Sequence, residues 1–295
     1  MDQNISLNLR ARVALEKHGF RAAHSLGQNF ILDEDFLSHL LDMAGVGEED
    51  RVLEIGPGPG LMTALIADRA DRAERVVAVE LDEKLRPVLE AVLGERENAQ
   101  LIFADALRSD LSALVSEKLG GNYRVVANLP YYITADLILK LFAARPLPQS
   151  VCVMVQREAA ERLMSEPGDK NWCALAATVR FYGDCEILED VPPRRFEPAP
   201  HVDSCFIRID VRGERIVPED EEADFLKLVR CCFHMRRKTL ANNLKACYGM
   251  SAEAAAAAIE AAALKPQVRG EALTLEEIRK LHCVLNCRRK CRWKN

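Results

Sequence analysis

The sequence lacks a long apolar run, since no segment approaches the roughly 20 apolar residues that a membrane-spanning helix requires. Its first 20 residues, MDQNISLNLRARVALEKHGF, lack the continuous apolar core of a signal peptide. Glycine and proline are few, at 15 and 13 of 295 residues, which excludes collagen-like and low-complexity chains. We therefore expect a globular protein in the cytosol, with no membrane partner.

Cysteine is plentiful, with ten residues, but the sequence has no Cys-x-x-Cys pair. A zinc knuckle is therefore not expected, and without an export signal neither is a disulfide framework. Cys283, Cys287 and Cys291 recur every four residues, which places them on one face of a predicted helix. Because thiols at helical spacing usually serve as small buried apolar groups, we predict no metal site there.

The charge balance lacks the basic excess typical of nucleic-acid-binding proteins. Forty Lys and Arg residues against 45 Asp and Glu residues give a formal net charge of −5. The distribution differs from the total, because residues 230–250 and 279–295 contain basic side chains and no acid. A solvated face is the ordinary interpretation of such runs, and phosphate binding is the alternative.

Residues 50–155 alternate short β-branched runs with amphipathic stretches, which predicts βαβ units around a parallel sheet. The acid-rich stretch 214–224 indicates a linker, and the pattern beyond it is helical. We predict an α/β fold with a mostly parallel seven-stranded sheet in a domain at 1–213, and a smaller all-helical domain at 214–295. Further helices are predicted at 34–44, 171–180, 222–234, 237–248, 251–264 and 274–286, and the last strands at 181–190 and 205–211.

A glycine-rich turn, EIGPGPG at 54–60, follows the first predicted strand and opens a helix. Glycines at such a turn let the backbone approach a ligand closely. The spacing G-x-G-x-G differs from the G-x-G-x-x-G of dinucleotide-binding folds, and the two prolines stiffen the loop. An ordinary strand-to-helix turn is the alternative interpretation.

Two acids, Glu80 and Asp105, end the second and third apolar runs. A carboxylate at the first position can accept both hydroxyls of a ribose, and one at the second can accept the exocyclic amine of adenine. Each acid alone is typical of a solvated loop, but the pair beside the glycine loop predicts an adenosine-containing ligand. An NAD-dependent dehydrogenase would share Glu80, but the sequence offers no hydride-transfer site.

The fourth predicted strand ends in Asn128-Leu129-Pro130-Tyr131, which resembles the N-x-P-Y motif of methyltransferases acting on exocyclic amines of bases. With HSLGQNF at 24–30, VPPRRFEPAPHVDS at 191–204 and FHMRRKTLANNLK at 233–245, residues 20–285 resemble the KsgA-type (RsmA) small-subunit rRNA adenine dimethyltransferases. The resemblance implies a Rossmann-like class I methyltransferase fold and S-adenosyl-L-methionine as cofactor. It also implies dimethylation of the N6 amines of two adjacent adenosines near the 3′ end of 16S rRNA during ribosome biogenesis.

The resemblance assigns cofactor contacts to the N-terminal segment, the glycine loop, the two acids and the fourth strand: Gln28, Asn29, Ile31, Glu54, Gly56, Gly58, Glu80, Asp105 and Asn128. It makes Asn128, Leu129, Pro130 and Tyr131 the catalytic group. The side-chain oxygen of Asn128 and the carbonyl of Leu129 are expected to accept the two N6–H bonds and localise the nitrogen lone pair. Pro130 would fix the turn, and Tyr131 would stack on the extruded base.

RNA contacts are expected outside this group. Phe196 is a candidate second stacking face, with a core aromatic as the alternative. Arg236, Arg237 and Lys238 are expected to meet phosphates. The tail 286–295, NCRRKCRWKN, extends past the usual end of the family and is expected to contact RNA or to be disordered.

The expected partner is small-subunit rRNA in a pre-ribosomal particle, and nothing in the sequence calls for a protein partner, so a monomer is expected. Two other functions stay open: a large-subunit rRNA methylase of the erythromycin-resistance type, and an assembly factor without turnover. FHMRRKTLANNLK and VRGEALTLEEI favour the small-subunit family over the resistance methylases. Asn128 favours an enzyme, because a pure binding protein needs no acceptor at the transfer point.

Overall fold

The computed structural model describes residues 5–23, 26–70 and 75–292, the last five by their backbone alone. Within those ranges it contains seven strands and twelve α-helices. The strands are β1 (Val52–Ile55), β2 (Val76–Glu80), β3 (Ala99–Phe103), β4 (Arg124–Asn128), β5 (Ser150–Gln156), β6 (Gly183–Val191) and β7 (Ser204–Val211). The helices are α1 (Leu7–Lys17), α2 (Glu34–Met43), α3 (Leu61–Arg69), α4 (Arg86–Leu93), α5 (Leu111–Lys118), α6 (Thr134–Ala143), α7 (Arg157–Leu163), α8 (Ala174–Tyr182), α9 (Glu222–Cys232), α10 (Leu240–Tyr248), α11 (Ala252–Ala261) and α12 (Leu275–Arg292). His24 and Ser25 of the HSLGQNF motif and residues 293–295 of the tail lie outside the described residues.

The seven strands form one sheet in the order β3-β2-β1-β4-β5-β7-β6. The pairs from β3 to β5 are parallel, and β7 runs antiparallel to β5. The mostly parallel seven-stranded prediction is therefore confirmed. Every residue of β1 and β2 is buried, as expected where helices cover both faces of a parallel sheet. The strand order reverses between β1 and β4, where parallel sheets of this kind bind ligands at the carboxyl ends of their strands.

The helices of the first half follow their apolar periodicity. In α2, Phe36, Leu37, Leu40 and Leu41 form the buried face, and the Asp33 side chain accepts a hydrogen bond from the Phe36 N–H at 3.0 Å as an N-cap. Three described helices, α1, α5 and α7, are absent from the sequence prediction. No described helix is long and apolar enough to cross a membrane.

The chain forms two compact units. The first comprises the residues up to Ala160 together with Asp184–Val211, and the second comprises Glu161–Gly183 together with the residues from Arg212 onward. The sequence predicts 161–183 within the 1–213 domain, whereas in the structure this segment groups with the C-terminal helices. The physical reason lies in its aromatic residues: Phe181 of α8 stacks on Phe225 of α9, with ring centroids 5.1 Å apart.

The last helix bears on two expectations. The tail is expected to contact RNA or to be disordered; helix α12 continues to Arg292, so the tail is helical as far as that residue, and an RNA contact stays a prediction. Cys283 and Cys287 are exposed rather than buried, because the packed side of α12 is the one that carries Ile278 and Leu281. The prediction that these two thiols are buried apolar groups is therefore wrong.

Candidate active site

A cavity of about 210 Å³ lies in the first unit, where β1, β2, β3 and β4 end. Every residue that the sequence assigns to the cofactor or to catalysis lines this cavity: Gln28, Asn29, Ile31, Glu54, Gly56, Gly58, Glu80, Asp105, Asn128, Leu129, Pro130 and Tyr131. The topology thus brings together residues that are up to 103 positions apart, from Gln28 to Tyr131.

The charge of this cavity has one sign. Its lining contains three carboxyl side chains, Glu54, Glu80 and Asp105, and no Lys, Arg or His among the described residues. A pyrophosphate needs backbone N–H groups or cations near its charge, whereas an acid-lined cavity suits a ligand that carries positive charge. The lining therefore favours a cationic ligand over a dinucleotide.

The glycine loop is shaped for close approach. Gly58 has φ +55°, and a Cβ placed on it would lie 2.9 Å from the Phe30 ring. Gly60 has φ +89°, and its Cβ would lie 2.8 Å from the Leu89 side chain. Both positions have a left-handed backbone that favours glycine, and a methyl group there would in addition press on a neighbouring side chain.

Glu80 ends β2 and holds the glycine loop by a hydrogen bond. One carboxylate oxygen accepts the Gly58 N–H at 3.2 Å, and the other accepts the Asp82 N–H at 2.8 Å. Burial raises the pKa of Glu80, while these backbone N–H bonds oppose the rise. Glu80 is thus a loop-positioning carboxylate that lines the cavity where the sequence places a ribose contact.

Glu54, on β1, is completely buried, and neither of its carboxyl oxygens has a hydrogen-bond partner among the described residues. Burial raises its pKa to about 8, the negative charge of Glu80 adds to the rise, and the nearby Thr63 hydroxyl opposes it. No hydrogen bond joins that hydroxyl to Glu54 by geometry, and the hydroxyl has no partner among the described residues. Among the described residues, three buried polar atoms therefore lack partners here: the two oxygens of the cavity-lining Glu54 and Thr63 Oγ1.

Asp105 follows β3 and is half-buried. One oxygen accepts the Leu107 N–H at 2.9 Å, and the other lies 3.3 Å from the exposed Arg108 guanidinium. The backbone contact fixes the carboxylate within the cavity lining, where the sequence predicts the adenine amine.

Asn128, the last residue of β4, has its side-chain amide oriented by a specific contact. Its Nδ2 donates to the backbone carbonyl of Asn29 at 2.9 Å. Because a carbonyl can only accept, this contact fixes which end of the amide is the donor. The Oδ1 atom has no donor among the described residues, so it stays available as an acceptor in the cavity lining.

The three residues after Asn128 shape the cavity mouth. Leu129 is buried, and Pro130 precedes a short 3₁₀ turn at Tyr131–Ile133. The Tyr131 hydroxyl lies 2.7 Å from the Ser204 hydroxyl, and burial raises the pKa of the phenol. Tyr131 is therefore a neutral, anchored aromatic rather than a proton acceptor.

Tyr132 is a lining residue that the sequence analysis does not assign. Its side chain is 60% exposed, which is unusual for an aromatic ring, and it lines the same cavity as Tyr131. A Cβ on Gly27 would lie 3.5 Å from its ring, so it flanks the N-terminal segment. The sequence signal that could have identified Tyr132 was its position directly after Tyr131.

The N-terminal segment is held in place from three sides. Gln28 accepts the Ala23 N–H and donates to Asp82 at 3.1 Å. Phe30 and Glu197 exchange two backbone hydrogen bonds, at 3.0 and 2.7 Å. These contacts place Asn29 and the buried Ile31 in the cavity wall, where the sequence predicts them to cover the cofactor.

The RNA candidates lie elsewhere. Phe196 is 2% exposed within the hydrophobic core, so it offers no free face and the core alternative holds. Arg236, Arg237 and Lys238 are exposed in the loop between α9 and α10 of the second unit. Arg236 is engaged within that unit, by the Lys170 carbonyl at 2.8 Å and by Glu271 at 3.4 Å.

Residues 19–279 match the family model described as ribosomal RNA adenine dimethylase. The chain is 38% identical over 286 residues to the ribosomal RNA small subunit methyltransferase A of Geobacillus sp. strain WCH70, covering 94% of this chain and 96% of the relative. It is 41% identical over 276 residues to the protein of that name from Lachnoclostridium phytofermentans, covering 92% and 94%.

Two solved structures share the architecture. The 23S rRNA methyltransferase ErmE superposes with a TM-score of 0.65 at 25% identity, covering 88% of this chain and all of that one. A dimethyladenosine transferase from Plasmodium falciparum superposes with a TM-score of 0.71 at 23% identity, covering 86% and 96%. The second likeness shows the fold, and the Rossmann-like methyltransferase prediction is confirmed.

Proposed function

Because the chain belongs to the ribosomal RNA adenine dimethylase family, we propose that it dimethylates the N6 amines of two adjacent adenosines near the 3′ end of small-subunit (16S) rRNA, in a partly assembled particle. Its cofactor is S-adenosyl-L-methionine. The observation that carries the proposal is the Asn128 amide, whose nitrogen is held by Asn29 and whose oxygen is left to accept at the cavity.

The cavity suits this cofactor by its charge and its shape. When bound, S-adenosyl-L-methionine supplies an electrophilic methyl group on a positively charged sulfur. Three carboxyls and no described cation line the space that it would fill. The glycine loop would lie against the methionine end, Glu80 would accept the ribose hydroxyls, and Asp105 would accept the adenine amine.

The chemical task of the protein is to make the adenine amine a nucleophile. Its lone pair is delocalised into the ring, so the amine attacks poorly until the nitrogen becomes pyramidal. Asn128 Oδ1 and the Leu129 carbonyl can accept the two N–H bonds and favour that geometry. Held by these two acceptors, N6 would face the methyl group that the bound cofactor supplies, and the surplus proton would leave N6 for solvent.

No strong base is required, and the described lining offers no Lys or His to act as one. The nitrogen becomes acidic as it is methylated, so proton loss follows the transfer. The two tyrosines at the mouth serve the base instead: Tyr131 is anchored by Ser204, and Tyr132 is exposed. Stacking on such rings contributes roughly 1–3 kcal/mol per base, comparable to the cost of extruding it.

The test uses ribosomal subunits that lack these methyl groups. The protein is incubated with labelled S-adenosyl-L-methionine and, separately, small and large subunits, and N6,N6-dimethyladenosine is mapped. We expect label in the small subunit, at two adjacent adenosines. Label in the large subunit would identify the resistance-type activity, and label in neither would leave a binding or assembly factor. The matched control is Asn128→Ala, for which label is expected to appear about 10²–10³ times more slowly.

A further inference from the structure

Glu54 is the one cavity carboxyl whose state the proposed function leaves unexplained. Glu80 and Asp105 each accept backbone N–H bonds, which stabilise a carboxylate. Glu54 accepts none among the described residues and is fully buried. An ionised carboxylate in that position is costly, because no hydrogen bond from the described residues replaces the lost hydration.

The surroundings of Glu54 determine which acid of the cavity holds a proton. β1 lies between β2 and β4, and the residues paired with Glu54 are Ala78 and Val126, which carry no charge. From α3 it meets the Thr63 hydroxyl, and from β2 the carboxylate of Glu80. The remaining titratable groups of the lining are Asp105, Tyr131 and Tyr132. Every charge that these groups can carry is negative, so without a ligand Glu54 is the acid that stays protonated, with a pKa of about 8.

We propose that Glu54 is a proton-coupled counter-charge, which is neutral in the free protein and ionises when the ammonium group of the cofactor's methionine end enters the cavity. The proposal rests on the proposed function for the identity of the cofactor. Glu54 stays uncharged until a cation enters the cavity. The proton that Glu54 loses goes to solvent.

The coupling has a sign and a pH window. Since the ligand-free carboxyl has a pKa of about 8, about nine-tenths of it is protonated at pH 7, and binding would release about 0.9 proton there. The release would fall toward zero above pH 9. The apparent affinity would accordingly rise with pH up to about 8, by close to tenfold per pH unit, and then level off.

Titration calorimetry of the full chain with S-adenosylhomocysteine tests this directly. That ligand carries the ammonium group but no transferable methyl. At one pH, the measured enthalpy is plotted against the ionisation enthalpy of several buffers, and the slope counts protons released. We expect about 0.9 proton at pH 7 for the native chain and none for Glu54→Gln. The matched control Asp105→Asn, at another acid of the cavity, is expected to bind more weakly with the slope retained.

Two further measurements keep the proposal testable if Glu54→Gln binds too weakly for titration. An analogue lacking the α-amine is expected to release no proton from the native chain. Thr63→Val removes the hydroxyl that opposes the raised pKa, so the midpoint of proton release is expected to move to higher pH. A native chain that binds with a slope near zero, or a Glu54→Gln variant that keeps the slope, would overturn the proposal. A native chain that binds no S-adenosylhomocysteine would instead overturn the proposed function, and this inference with it.

Discussion

The cavity of the first unit and the loop between α9 and α10 of the second carry charges of opposite sign. The described cavity lining has three carboxyls and no Lys, Arg or His. The loop exposes Arg236, Arg237 and Lys238 in succession. A net charge of −5 therefore averages two surfaces that suit different ligands, a cationic cofactor and an anionic RNA. The charge of each surface, rather than the net charge of the chain, therefore decides which classes of partner can be excluded.

The largest expected effect is a loss of methyl transfer at the cavity that leaves RNA binding by the basic loop unchanged. Asn128→Ala removes one oriented acceptor at the transfer point, and groups of this kind contribute about 10²–10³ in rate. We expect kcat to fall by that factor in single-turnover assays, while calorimetry shows cofactor affinity changed far less and RNA binding keeps its salt dependence.

The control for this substitution is Asn128→Asp, which keeps an acceptor but loses the donor to the Asn29 carbonyl. We expect it to retain more transfer than Asn128→Ala and less than the native chain. Equal losses of cofactor binding and transfer in Asn128→Ala would refute the role given to the amide.

A second effect concerns the stability of the acid-lined cavity. The raised pKa of Glu54, about 8, means that the folded chain binds one more proton than the unfolded chain between about pH 4.5 and 8. Stability contributed by this group is therefore lost as pH rises through that window. Glu54→Gln removes this pH-dependent loss. Between pH 5 and 8 the free energy of unfolding of the ligand-free variant should therefore increase, relative to that of the native chain, by on the order of 3 kcal/mol.

Urea unfolding at several pH values measures this difference in the free energy of unfolding. Glu90→Gln, the same substitution at an exposed position of α4, is expected to follow the native curve. If the free energy of unfolding changed with pH in the same way for the native chain and Glu54→Gln, burial of Glu54 would have no pH-dependent cost to stability.

The smallest expected effect belongs to the basic loop. Arg237→Ala combined with Lys238→Ala removes two exposed cations, so the slope of log affinity for rRNA against log salt should decrease by up to about 2. Cofactor binding should not change. Arg236→Ala is the control, because the Lys170 carbonyl and Glu271 already engage that guanidinium, and it should alter the slope less. A double variant with the native slope would remove the loop from the RNA contact.

Much of the fold could be predicted because the central strands are buried on both faces. The runs at β1, β2, β4 and β5 are mostly apolar and are separated by amphipathic segments, a pattern that predicts a parallel sheet. Helix α1 could not be predicted in the same way. It buries Leu7, Ala11 and Ala14 but exposes Leu9 and Val13, so its apolar residues mark no single face.

The residues of the candidate site were predicted on different grounds. The glycine loop and the acids that end strands follow from general chemistry, whereas the roles of Asn29 and Ile31 came from the family resemblance. The sequence left Phe196 open between a stacking face and a core residue, because it reveals an aromatic ring but not which side of a loop the ring occupies; in the structure the ring is buried in the core. The unpartnered state of Glu54 could not be read from sequence, since it depends on which backbone N–H groups lie nearby.

The dipeptide Asn29-Phe30 performs three tasks at once. The Asn29 carbonyl orients the amide of Asn128, the Phe30 ring lies against Gly58, and the Phe30 backbone pairs with Glu197. A small molecule wedged beneath this dipeptide would misalign the transfer point and deform the glycine loop together. Such a compound would lie in the wall of the cofactor cavity, so it would compete with the methyl donor and displace the acceptor at the same time.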